Sequence, residues 1–230
     1  MQNSGIIEII SELRLFEPDK LKTIRKRVCF WVNLFNSLFL FTIFYKKIQL
    51  NDKREWKKFF QNIYFDIGGN CYSFNDIQYI LFNKLICISN DYSPEKYVKD
   101  CSIKVLRKKY SNLNIDDVYI SYFSLFIPNK SVLNPNIYSL DNINEEMKNK
   151  DVEFFNHFLE IDSTNNIIIP EFIFNVENTF LEDNILEKYK VSIKNNIFNT
   201  LKVKNYKQKI KTKINWKLDS IYLNHNSIFQ

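Results

Sequence analysis

The stretch VCFWVNLFNSLFLFTIFY, Val28 to Tyr45, decides how this chain is read. It carries no charge; Arg25, Lys26 and Arg27 precede it, and Lys46 and Lys47 follow. About 18 uncharged residues is the lower limit for a membrane-spanning helix, and cations at both ends suit interfacial anchors. Asn33, Asn36, Ser37 and Thr42 argue the other way, because an unpaired amide in hydrocarbon is costly. Asn33 and Asn36 stand on one helix face, where protein groups can satisfy both together. The expectation is a central buried helix over 28–45 and no transmembrane span.

Working outward, IIEIISELR at 6–14 reads as a short helix. Pro18, with Asp19 in the first turn, opens a second helical stretch that runs, with a break, toward the apolar segment. REWKKFFQN at 54–62 has helical spacing of Trp56, Phe59 and Phe60. Gly68 and Gly69 are two of only three glycines, so the IGGN bend needs a backbone geometry other residues resist. Ser73 and Asp76 form a capping pattern before a helix over 74–88. Pro94 and Glu95 begin another over 94–110.

The pattern then changes. VYISYFSLF at 118–126 is β-branched and aromatic and reads as a buried strand ended by Pro128. Residues 141–159 are helical, with Ile143, Met147, Phe154, Phe155 and Phe158 on the inner face. NIIIP at 166–170 is a short strand, and 171–182 and 184–200 return to helical spacing. Lys209 to Leu218 alternate, with Ile210, Ile214, Trp216 and Leu218 on one face and Lys209, Lys211, Lys213 and Lys217 on the other: a half-buried strand. No repeat or long linker divides the chain. The class is α+β: one predominantly helical domain over 22–225, a helical extension over 1–21, and a small sheet formed mainly by the second half.

Composition sets the bounds. A chain of 230 residues suits one large domain and buries roughly 70% of its unfolded surface. At 45% hydrophobic, 25% charged and 16% aromatic, disorder is excluded. Three glycines and five prolines exclude collagen-like and Pro-rich linker proteins. The absence of alanine reads as codon bias of an AT-rich genome, which weakens any argument from Asn or Lys abundance. Cys29, Cys71, Cys87 and Cys101 are widely spaced without a CxxC pair, so no metal site is expected. The opening MQNSGIIEII lacks a basic n-region and a long apolar run. Reduced thiols in a cytoplasmic protein are the expectation.

Few side chains suggest chemistry. Cys29, placed at or near a helix start, could be an activated thiol; the favoured reading is a small buried hydrophobe. His157 and His225 are the only imidazoles, and neither has a second ligand at metal spacing. A Cys29–His157 dyad is sterically conceivable in three dimensions but is not the favoured reading. The glycine pair lacks the Lys-Ser/Thr of a phosphate loop. From Lys188 to Lys217 there are ten lysines and no acid, against a whole-chain charge of +6. Lys209, Lys211, Lys213 and Lys217 are candidates for binding nucleic acid or anionic lipid. Trp216 lies on the opposite face and the stretch has no Arg, so a solvated basic face is favoured.

FWVNLFNSLFL, then Tyr64 to Gly69, then YSFNDIQYILF in this order resemble the signature of the domain-of-unknown-function family 547, with its FWINLYNAL phrase, IGG turn and YSLNDIEHGIL-like helix. DDVYISYFSLF, NIYSLDNINEEMKN, NNIIIPEFIF and INWKLDSIYL resemble later family segments more weakly. The resemblance implies a globular α+β domain over roughly 22–225. Trp31, Asn33, Asn36, Gly68, Gly69 and Asp76 then become family-motif positions, structural or pocket-lining. The two amides are expected to hold the IGG loop and the helix starting near Tyr72. A His common in the family is Phe41 here, another is Ser121, and a CGxxSCP-like turn is FIPNKSVLNP. These departures imply a non-catalytic interaction or scaffold domain with a protein partner and no cofactor. The rival readings are a divergent hydrolase- or thiol-type enzyme and a polyanion binder.

Overall fold

The computed structural model describes residues 4–46, 48, 50, 52–82, 124–125, 136–158, 160–161, 167–170 and 210–213. The predicted helices at 94–110, 171–182 and 184–200 fall outside them, as do Cys87, Cys101, Ser121, Lys209, Trp216, Lys217 and His225. Helix α1 (Ser4–Glu12) leads through a 3-10 turn (Leu13–Leu15) and a second one (Pro18–Lys20) into α2 (Ile24–Lys46). Pro18 therefore starts a single turn, with a break at 21–23 before α2.

α2 is the predicted central helix. By length and composition it could cross a membrane. In this fold it forms the core: Trp31, Val32, Phe35, Leu38, Phe39 and Ile43 are among its buried residues. Helix α3 (Lys53–Asn62) follows, its first turn capped by Asp52, whose Oδ1 accepts from Arg54 N at 2.8 Å and Glu55 N at 2.9 Å. α3 turns Trp56, Phe59 and Phe60 inward against α2. The Phe39 ring lies 6.0 Å from Trp56, 4.9 Å from Phe59, 5.6 Å from Phe60 and 5.1 Å from Phe74. Such pairs contribute about 0.5–1.5 kcal/mol each beyond their buried area.

Strands β1 (Tyr64–Ile67) and β2 (Asn70–Ser73) form an antiparallel hairpin in which Phe65 faces Tyr72 and Ile67 faces Asn70. Gly68 and Gly69 make its two-residue loop with φ of 61° and 75°, as a type I′ turn requires. This first-half sheet was not anticipated. Its strands are too short for alternation to stand out, and the glycine pair was read as a bend alone.

Helix α4 (Phe74–Phe82) begins on the predicted cap. Asp76 Oδ2 accepts from Ser73 N at 2.7 Å and Ser73 Oγ at 2.6 Å, and Asp76 N donates back to Ser73 Oγ at 3.2 Å. That is a reciprocal capping box with Asp in the usual Glu position. The expected strand at 118–126 does not extend through Ser124 and Leu125, its two described residues, which are turn and bend.

Helix α5 (Ile143–Phe158) matches the 141–159 reading, with Ile143, Met147, Phe154 and Phe155 buried. Ser139 latches onto its first turns: its N and Oγ donate to the Glu146 carboxylate at 2.7 and 2.8 Å. Strands β3 (Glu160–Ile161), β4 (Ile167–Pro170) and β5 (Ile210–Lys213) form the predicted late sheet, in the order β3-β4-β5. β3 and β4 are antiparallel and β4 and β5 parallel; a parallel pair needs a crossover, here through 171–209. Among the described residues helix dominates, and the fold is α+β.

Candidate functional site

α2 presents its motif residues in three directions. Trp31 is buried, its ring 5.2 Å from that of Tyr72 and 5.1 Å from that of Phe30. It thus joins α2 to the strand that leads into α4.

Asn33 pairs with the backbone of Tyr138. Its Oδ1 accepts from Tyr138 N at 2.7 Å and its Nδ2 donates to Tyr138 O at 2.8 Å. A primary amide here replaces a peptide group, pairing with an extended segment as a neighbouring strand would. Asn36, with no exposed surface, donates from Nδ2 to Ser124 O and to Asn136 O, both at 3.0 Å. The expected hold on the glycine bend is not among these bonds. The amides hold Ser124, Asn136 and Tyr138, and they use backbone atoms, which is why no local sequence signal marked the partners.

The glycine bend holds the N-terminal arm instead. Gly68 N donates to Leu13 O at 3.0 Å. A Cβ on Gly68 would stand 2.6 Å from Phe16 O and 3.2 Å from Pro18 Cδ, whereas one on Gly69 would meet nothing within 4 Å. Close approach of a second backbone is a use only glycine permits. Phe16 then stacks on Phe30 of α2 at 4.6 Å.

Between the arm and α2 lies an open groove of about 680 Å³. Its floor is the stripe Lys26, Cys29, Phe30, Asn33, Ser37 and Phe41; Ile9, Ile10 and Leu13 form one side and Leu140 contributes from beyond. Phe41, the position where the resemblance implies a His, puts an aromatic ring on the groove. Sequence reasoning did not find this groove. The arm had been read as an extension rather than a wall.

Cys29 is half-buried on this floor. Its helix begins at Ile24, so the thiol sits in the second turn and not at the N-terminus. Sγ donates to Tyr138 O at 3.3 Å and accepts weakly from Asn33 Nδ2 at 3.5 Å. Burial pushes the thiol pKa up, the Glu146 carboxylate pushes it further, and the Asn33 contact opposes both. Activation of a nucleophile needs the opposite shift. His157 is exposed near the end of α5, and neither partner given for Sγ is an imidazole. Tyr138 is buried; burial first, then Asp151, Glu146 and Glu153, hold its phenol above the ordinary range. Among the described residues no His, Cys, Asp and Glu cluster could hold a metal ion. Of the candidate basic positions, Lys211 and Lys213 lie in β5, in register with Ile168 and Pro170.

A family model described as "Protein of unknown function, DUF547" matches residues 18–155, ending well before the 225 that the resemblance reached. No curated protein and no solved structure matches. The match spans more than half of the chain and takes in both amides of α2, the glycine hairpin, the capping box and most of α5, so the chain belongs to the DUF547 family.

Proposed function

We propose that this chain is a non-catalytic interaction or scaffold domain that acts inside the cell on a protein partner. One observation carries the reading. Cys29, the only thiol on the groove among the described residues, is spent as a donor to Tyr138 O and held protonated by burial and Glu146. The motif amides beside it are likewise committed to backbone atoms. The family-motif residues serve the architecture, and α2 serves as a core helix, not a membrane span. Exposed Leu15, Ile137 and Tyr64 offer apolar surface for a partner.

The test joins two measurements. Cys29 should react with iodoacetamide at neutral pH no faster than free cysteine. A partner purified with the protein should bind it directly, and Leu15→Glu or Ile137→Glu should weaken that binding. Selective rapid labelling of Cys29, with turnover of a thioester or peptide lost in Cys29→Ala, would establish the enzyme reading instead. A second reading, polyanion binding, is supported by β5 standing at one end of the order β3-β4-β5 with Lys211 and Lys213 at alternate positions. RNA affinity that drops steeply between about 50 and 200 mM salt would establish it; a flat response would dismiss it.

A further inference from the structure

We propose that the groove between α1 and α2 binds one long-chain carboxylate, its hydrocarbon laid along α2 and its head at Lys26. The groove has the capacity of a small-molecule site, about 680 Å³ against roughly 300–1,000 Å³ for such pockets. Its lining runs along α2 from Lys26 to Phe41, over which the helix rises roughly 22 Å. Most of its lining is apolar, with Ile9, Ile10 and Leu13 from the arm and Phe30, Leu34 and Leu38 from α2.

Charge chooses the ligand. Among the described residues Lys26 is the only charged one on the lining, and none of the acids among them lines it. Among the described residues the Lys26 ammonium meets no carboxylate within ion-pair distance. A chain with an acid at one end matches this layout, with a cation at one end and an aromatic ring at the other. The arm's own apolar face is left uncovered: Ile9 is 64% exposed although it borders the groove. A hydrocarbon chain would cover that surface. An amphipathic helix would instead need polar partners along both rims, and among the described residues Ser37 is the only lining hydroxyl. The inference stands apart from the identity of any protein partner.

The test is calorimetric titration of the full chain with decanoate, laurate, myristate and palmitate, each below its critical micelle concentration. Saturable one-to-one binding is expected, tightening by up to about fourfold per added methylene and levelling once the chain outgrows the groove. Lys26→Gln should weaken myristate roughly two- to fivefold, the range of an exposed ion pair. It should leave the uncharged methyl ester unchanged, as Lys22→Gln should leave both. Ser37→Trp, at an exposed position, should fill the groove and abolish binding without lowering the melting temperature. Absence of saturation at every chain length overturns the proposal. So does equal affinity for acid and ester, unaltered binding in Ser37→Trp, or association confined to phosphatidylserine vesicles.

Discussion

Replacing Gly68 by Ala tests the junction between the arm and the hairpin. Two costs arise together. At φ of 61° a Cβ carries the left-handed penalty of about 1–2 kcal/mol. The same Cβ would lie 2.6 Å from Phe16 O, a backbone atom, so the arm must move. Moving it breaks the Gly68 N–H to Leu13 O bond, worth about 0.5–1.5 kcal/mol. It also separates Phe16 from Phe30, about 0.5–1.5 kcal/mol, and uncovers Pro18. The whole comes to roughly 2–5 kcal/mol. Gly69→Ala, at φ of 75° with open space around it, meets only the first cost. Urea unfolding read by circular dichroism separates them. At a slope near 2 kcal/mol/M, Gly68→Ala should lower the midpoint by roughly 1–2.5 M and Gly69→Ala by roughly 0.5–1 M. In a chain lacking residues 1–18 the two should converge, because the obstacle is gone. Equal losses in the full-length chain, within about 0.5 kcal/mol, would show that the arm does not rest on the hairpin.

Three further outcomes follow from the same geometry. Asn36→Asp replaces two donors by a carboxylate facing two carbonyls and should cost about 3–5 kcal/mol near neutral pH. Burial raises the new carboxyl's folded pKa, so the folded state holds the extra proton and stability should fall as pH rises above about 4, measured by thermal melts across pH. Cys29 has a raised pKa, so its contribution to stability is fully present below the unfolded thiol value of about 8.5 and is lost as pH rises through the higher folded value. Cys29→Ala should flatten that alkaline decline, and in the parent mass-spectrometric alkylation should modify exposed Cys71 before Cys29. Asp76→Ala removes both acceptor roles of the α4 cap and should cost about 1–2 kcal/mol, with early amide exchange in the first turn of α4; unchanged exchange there would refute the capping role.

Much of the first half was legible because its signals are local. A charge-free run predicts α2, Asp76 three residues after Ser73 predicts the cap, and Gly68-Gly69 predicts a turn. What the turn is for was not legible. Gly68 is required by Phe16 O, an atom of a different segment, and a backbone oxygen carries no side-chain signature. Asn36 is buried and Asn33 half-buried, and both have partners, but partners supplied by the main chain at Ser124, Asn136 and Tyr138 could be any residue type. Cys29 was misplaced at a helix start because the three basic residues before it looked like a boundary, whereas α2 runs through them. The groove escaped notice for the same reason as the glycine contact: its walls are distant in sequence, and only the path of the arm brings Ile9, Ile10 and Leu13 beside Phe30.

The reach of α2 has a consequence for biosynthesis. Asn36 and Asn33 are satisfied by atoms 88 to 105 residues further along. At about 5–20 residues per second, the ribosome delivers those atoms roughly 5–20 s after the helix has been made. Through that interval a nascent chain displays a greasy, cation-flanked segment that insertion machinery could mistake for an anchor. Each amide raises the cost of lodging that segment in hydrocarbon while the rest of the polypeptide is still to come.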